Sequence, residues 1–191
     1  MLRDTRILIC TVANNDYFHY LEALVFSIIE NSKNCSMLIS LVNVPTYKIE
    51  WLKSIKLDLT IDAEYIDFPS KELEKGYCTN KRVDLLCSKY SAGYDWILYV
   101  DANVLINRNL NDFFKEVEGY DSVIMLDTDH ITSTMNDKQL QKYPKGPLGT
   151  PYYGVCLATI QGYKIGSMTH KFLGEYRQLV SSKLYSWYAD Q

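Results

Sequence analysis

No stretch of this sequence approaches the ~18 consecutive apolar residues that cross a bilayer, and the amino-terminal MLRDTRILIC lacks the long apolar core of a secretory leader. The domain itself is expected to be soluble, with no intrinsic membrane span. Lysine and arginine together number 20 against 23 aspartates and glutamates, a formal net charge of −3, so no basic surplus is available for a general grip on nucleic acid. Disulfides lack support as well. The five cysteines, Cys10, Cys35, Cys78, Cys87 and Cys156, are odd in number, form no C-x-x-C pair, and several lie in apolar contexts. That is the usage of reduced thiols in a cytoplasmic protein. Glycine is sparse at nine residues, and no G-x-G-x-x-G follows the first apolar strand, which argues against a dinucleotide-binding fingerprint.

What the chain does have is apolar material in short, alternating blocks. At 191 residues and 47% apolar, it can bury one substantial core and is expected to form a single domain. Arg6 to Val12 reads as a buried strand, followed by an A-N-N-D turn and a helix from about Tyr17 to Asn31, with Leu21, Leu24, Val25, Ile28 and Ile29 at helical spacing and Asn15 or Asp16 able to cap its start. Met37 to Val44 is a second strand, stopped by Pro45, and residues 46 to 56 a short helix. Leu59 to Ile66 is a third strand. The segment F-P-S-K-E-L-E-K-G-Y-C reads as a connection, after which Thr79 caps a helix presenting Val83, Leu86 and Tyr90 and closed by Gly93. Ile97 to Val100 is a central strand, Leu110 to Val117 a helix, and Ser122 to Leu126 a strand. Residues 127 to 151 form a long loop rich in glycine and proline, Gly154 to Ile160 another strand, and Ile165, Met168, Phe172, Tyr176 and Leu179 mark a last helix. The repeated strand and helix order predicts an α/β domain with a mostly parallel central sheet flanked by helices.

In such sheets ligands collect at the carboxyl ends of the strands. There the most informative words are found. The apolar run Ile97-Leu98-Tyr99-Val100 delivers Asp101 and Asn103, separated by Ala102, to a strand end, and their side chains share one side if the chain stays extended. Oxygen donors of this kind suit Mn²⁺ or Mg²⁺ held together with substrate phosphates. The plainer reading is an Asx turn after a strand. At 11 to 17, T-V-A-N-N-D-Y offers either a ligand corner or a helix cap with Tyr17 in the core. At 79 to 82, T-N-K-R places Arg82, with Lys81 in reserve, at an expected helix amino terminus, where oriented N–H groups and a guanidinium attract phosphate. Solvated charge on an exposed first turn is the competing account. L-D-T-D-H at 126 to 130 is a second carboxylate pair, and a metal reading through Asp127, Asp129 and His130 competes with the one at Asp101.

The run from apolar strand through D-A-N-V-L-I to N-R-N-L-N-D-F-F resembles the metal-binding segment of GT-A fold glycosyltransferases, especially family 8, the glycogenin and lipopolysaccharyl galactosyltransferase group. The resemblance covers nearly the whole chain, with a specific middle and looser ends. It implies a GT-A (Rossmann-like) fold and a metal-dependent glycosyltransferase, moving a hexosyl or deoxyhexosyl unit from a UDP-sugar donor (glucose, galactose, rhamnose or similar) to a glycan acceptor with retention of configuration. It further implies that Asp101 and Asn103 hold Mn²⁺ or Mg²⁺, and that Thr11, Ala13, Asn14, Asp16, Tyr17, Arg82, Asp101 and Ala102 contact the nucleotide. Asp127, Asp129, Tyr152 and Tyr153 would face the donor sugar or acceptor, and Asp190 and Gln191 would support the sugar in catalysis together with Asp127; an inverting enzyme would instead use Asp127 or Asp129 as base to the acceptor hydroxyl.

The chain departs from the family pattern at several places. Asn103 stands where the family usually has a second Asp, which keeps an oxygen ligand but removes a charge and implies a weaker metal site. Tyr152 takes the place of an Asn that touches the donor sugar, so sugar recognition is expected to differ. The family normally continues past D-Q and supplies a metal-ligating His there, whereas this chain stops at Gln191. The expectation is a domain cut from, or heading, a larger protein. His170, in T-H-K-F-L-G, is expected to be exposed rather than the missing ligand. Two other classes remain open from the sequence: a non-catalytic nucleotide- or glycan-binding module, and a sugar nucleotidyltransferase, for which a Gly-rich phosphate loop would be expected.

Overall fold

A computed structural model of the chain describes residues 5–32, 35–127 and 155–181. Eight consecutive buried residues form β1 (Ile7–Asn14), and β2 (Cys35–Val42) is nearly as enclosed. Such continuously buried strands can only be satisfied inside a sheet covered on both faces. The remaining strands are β3 (Asp58–Glu64), β4 (Trp96–Val100), β5 (Ser122–Asp127) and β6 (Val155–Lys164). They assemble into one six-stranded sheet in the order β3-β2-β1-β4-β6-β5. β3, β2, β1 and β4 are mutually parallel, and β6 runs antiparallel between β4 and β5. The domain is thus α/β with a mostly parallel sheet, as the alternation of blocks predicts.

Alternate residues of each strand serve two separate cores. Ile7, Ile9 and Ala13 of β1, with Trp96, Leu98 and Val100 of β4, pack beneath α1 (Phe18–Asn31), α2 (Thr46–Lys53) and α4 (Leu110–Glu116). Leu8, Cys10 and Val12, with Ile97 and Tyr99, pack on the other face beneath α3 (Lys71–Leu86) and α5 (Met168–Ser181). Full burial of one aliphatic side chain stabilises by about 1.5–3 kcal/mol, so the central strands β1, β2 and β4 dominate the stability of the sheet. β3 is one edge, with only half-buried or exposed side chains. Among the described residues, no helix is long and apolar enough to cross a membrane.

Several sequence expectations are corrected by this architecture. The segment read as a connection at 68 to 78 is largely the first half of α3, which begins at Lys71, with Ser70 Oγ accepting from the Leu73 amide at 3.3 Å. Ser70 is therefore the cap and Thr79 lies inside the helix. Tyr90 belongs to a separate 3₁₀ turn at Lys89–Ser91 and is largely exposed. On α5 the faces are reversed: Met168 and Phe172 are exposed, while Leu173 is buried and His170 is half-buried, with Nε2 3.3 Å from the Leu86 carbonyl. β6 also runs on to Lys164, beyond the expected Ile160. At Gly162 an added Cβ would come within 3.2 Å of Leu98 Cδ1 on the adjacent strand.

Candidate functional site

The strand order reverses between β1 and β4. The chain moves outward from β1 through β2 to β3, and α3 then returns it across the sheet to β4 on the other side of β1. At such a reversal the connections leave in opposite directions and a crevice opens at the carboxyl ends of the two strands. Here the two strands are unequally paired. The ladder between β1 and β4 ends at Cys10 and Tyr99, whereas β1 continues alongside β2 to Asn14. The last four residues of β1, Thr11 to Asn14, thus run past the end of their ladder with β4.

On the β4 side, Tyr99 and Asp101 fall on one face of the chain, and the Tyr99 hydroxyl donates to Asp101 Oδ1 at 2.8 Å. The carboxylate is half-buried and the phenol ring almost wholly enclosed. Burial pushes the Tyr99 phenol well above its ordinary range, and the Asp101 charge pushes the same way while the Arg82 guanidinium opposes it. Tyr99 therefore remains a neutral donor. Arg82 is only 4% exposed. A guanidinium so enclosed, close enough to act on the phenol beside a carboxylate, is a fixed positive charge near the end of β4.

Beyond Asp101 the chain does not stay extended. Asp101 to Val104 form a turn closed by the Val104 amide donating to the Asp101 carbonyl at 3.1 Å, which leaves Ala102 buried and Asn103 exposed. Strand alternation therefore does not put Asp101 and Asn103 on one side; both lie on a tight turn. The donor set still consists of hard oxygen atoms, one of them a half-buried carboxylate, and such a set suits Mg²⁺ or Mn²⁺ more than a soft metal. Among the described residues no three His, Cys, Asp or Glu side chains converge, so any further ligands would come from phosphate, water or elsewhere in the chain.

On the β1 side, Asn14 is buried and tied in two directions. Its Oδ1 accepts from the Tyr17 amide at 3.1 Å, and its Nδ2 donates to Glu74 Oε1 of α3 at 3.3 Å. Asn15 accepts from Lys48 Nζ at 2.8 Å, and the exposed Asp16 lies 3.5 Å from Lys71 Nζ. Tyr17 is 41% exposed, tilted against Tyr20 with ring centroids 5.7 Å apart, and so is not the core residue of the plainer reading. Thr11 and Ala13 are enclosed in the sheet, and any ligand contact they make would go through their backbone.

The helix carrying Arg82 supplies the main correction to the site. Arg82 lies near the carboxyl end of α3, not at an amino terminus, so phosphate attraction by free N–H groups does not apply to it. A cation is electrostatically favoured at that end of a helix. Lys81, the reserve, points elsewhere: its Nζ sits 3.0 Å from Glu64 and 4.0 Å from Asp62 at the end of β3. Neither cation is a solvated surface charge. Sequence reasoning missed Tyr99 and Glu74. Tyr99 was legible as a polar-tipped residue two positions before Asp101 on a buried strand, whereas nothing in the sequence joins Glu74 to Asn14.

Asp127 closes β5 opposite Val155 of β6, and since β5 is parallel to β4 it ends on the same edge of the sheet as Asp101, two strands across. Its side chain, and Asp129, His130, Tyr152, Tyr153, Asp190 and Gln191, lie outside the described residues.

No protein-family model and no curated protein matches the chain. Solved structures do match its fold. The galactosyltransferase LgtC in complex with donor and acceptor sugar analogs superimposes with a TM-score of 0.64 at 16% identity, over 93% of this chain and 63% of that one. The bifunctional glycosyltransferase WbbM gives 0.56 at 13% identity over 95% of this chain and 35% of that one, and the glycosyltransferase GlyE of Streptococcus pneumoniae TIGR4 gives 0.55 at 12% identity over 98% and 41%. This chain therefore spans less than two thirds of the length of these enzymes. At such low identity the likeness is one of fold, and the fold is the one these glycosyltransferases share.

Proposed function

We propose that this chain forms the donor-binding domain of a metal-dependent glycosyltransferase, moving a sugar from a UDP-sugar to a glycan acceptor with retention of configuration. The observation that carries this reading is the reversal of strand order between β1 and β4, which brings Asn14 to Tyr17 at the end of β1 and Asp101, fixed by Tyr99 and near Arg82, at the end of β4 to the same edge of the sheet. Support also comes from the fold shared with LgtC, which has been captured with donor and acceptor sugar analogs.

In this reading Asp101 and Asn103 hold Mn²⁺ or Mg²⁺. When bound, the ion neutralises diphosphate charge as the nucleotide leaves. Arg82 adds fixed positive potential beside the diphosphate without the cost of reorganising water. Tyr17 offers an exposed ring to the base, and Asn14, held by Glu74, fixes the corner against which the nucleoside rests. Asp127, Asp129, Tyr152 and Tyr153 are assigned to the sugar and acceptor side. Asp190 and Gln191 support the donor sugar as positive charge develops at its anomeric carbon. The exposed turn position of Asn103 and its missing charge fit a labile metal site.

Incubation with a panel of UDP- and GDP-sugars, with Mn²⁺ and with chelator, tests the proposal. Hydrolysis or transfer from one or more UDP-sugars, abolished by chelation, is expected. Metal-dependent UDP binding without turnover of any donor would make the domain a binding module, and preference for GDP-sugars would remove the uridine assignment.

A further inference from the structure

We infer that Tyr99 is a positioning residue for Asp101, and that its hydroxyl sets how tightly the site holds a divalent cation. The inference rests on the reading of Asp101 as a metal ligand. Tyr99 sits two residues before Asp101 on the same face of the chain, and its hydroxyl donates to Oδ1 at 2.8 Å. The ring is 3% exposed and belongs to the cluster of Leu8, Cys10, Leu86 and Ile97, so the phenol cannot swing away without opening the core beneath α3.

A carboxylate at the end of a strand ordinarily rotates about its last bond and must be ordered when a cation binds. Here one oxygen is already held by a neutral donor that is itself held by packing, which orients the group before the cation arrives. Hydrogen-bond partners that orient a metal ligand in this way typically change metal affinity by 10- to 100-fold when removed. The competing account is that Asp101 serves Tyr99, by accepting the bond that a buried hydroxyl needs. The two accounts differ in what the loss of the hydroxyl does to a cation.

Mn²⁺ binding in the presence of UDP, followed by the electron paramagnetic resonance signal of the free ion, separates them in Tyr99→Phe, which keeps the ring and its packing. The expected result is a roughly 10- to 100-fold weaker Mn²⁺ affinity, with far-ultraviolet dichroism unchanged and UDP binding restored at saturating Mn²⁺. In an Asp101→Ala background the same substitution should have no further effect on Mn²⁺, because the residue it acts through is gone. Unchanged Mn²⁺ affinity in Tyr99→Phe, while the wild type binds the ion, overturns the inference alone. So does a loss of equal size in the Asp101→Ala background. A wild type that binds no Mn²⁺ with UDP overturns both the inference and the metal assignment on which it rests.

Discussion

Asn14 at the end of β1 donates to Glu74 of α3 at 3.3 Å across 60 residues of sequence, and this bond ties the β1 corner to the helix that returns the chain to β4. The same helix reaches β3, where Tyr77 donates to Glu64 at 3.0 Å and Lys81 pairs with that carboxylate, and it reaches the end of β4 through Arg82. One helix thereby fixes the relative positions of three strand ends. Asn14→Ala removes the Glu74 bond and the acceptor for the Tyr17 amide. At about 0.5–1.5 kcal/mol for each bond, a stability loss of roughly 1–3 kcal/mol is expected in chemical denaturation, together with weaker UDP binding. Wild-type UDP affinity in the destabilised variant would detach the corner from the nucleotide.

Tyr17 presents its ring to solvent beside the crevice, which suits a stacking role better than a packing one. Stacking of an aromatic ring on a base is worth about 1–3 kcal/mol, so Tyr17→Ala should weaken UDP binding by roughly tenfold or more with little change in melting temperature. Calorimetry with UDP and GDP checks both the size and the base preference. Equal affinity for the two nucleotides would remove the uridine assignment.

Asn103 is exposed on the turn after β4, so replacing its amide by a carboxylate meets no steric obstacle. Asn103→Asp is expected to be tolerated and to tighten Mn²⁺ binding, since it adds a negative charge to an oxygen donor set. A Mn²⁺ titration of the two proteins measures this. Weaker binding in Asn103→Asp would place position 103 outside the metal site.

Burial holds the Cys35 thiol up at about 11 and the Cys78 thiol at about 12, against an ordinary 9.0, and raises Cys10 as well. The folded state therefore keeps protons that the unfolded chain releases. Stability from this source is fully present below pH 9 and falls as pH rises from about 9 through the folded values. Thermal melting should show that decline, with a shallower slope in Cys35→Ala/Cys78→Ala. A flat melting temperature from neutral pH up to the folded value of Cys35 would contradict the assignment of buried, protonated thiols.

The strands that build the site were legible because their signal is local. Ile7 to Cys10 and Ile97 to Val100 are uninterrupted apolar runs, and such runs belong in a doubly covered sheet. The first half of α3 was hidden by Pro69, the charged K-E-L-E-K and Gly76, which together imitate a loop, although Ser70 followed by Glu72 and Glu74 carries a helix-start signal. That one misreading moved Arg82 from the start of a helix to its end. The insertion of β6 between β4 and β5 depends on long-range pairing and has no local trace. Asp101, Asn14 and Tyr17 could be picked out as strand-end residues, and Tyr99 by its place two residues before Asp101, whereas Glu74 becomes visible only when the fold brings it to Asn14.

The central claim is that the crevice between β1 and β4 binds a uridine diphosphate group with a divalent cation on Asp101. UDP calorimetry with and without Mn²⁺, on the wild type and on Asp101→Ala, tests it most directly. The account predicts that Mn²⁺ strengthens UDP binding in the wild type, and that Asp101→Ala erases the strengthening while its melting curve stays cooperative. UDP binding that ignores Mn²⁺, or a metal response that survives in Asp101→Ala and disappears in Asp127→Ala, would contradict it and move the metal to the end of β5.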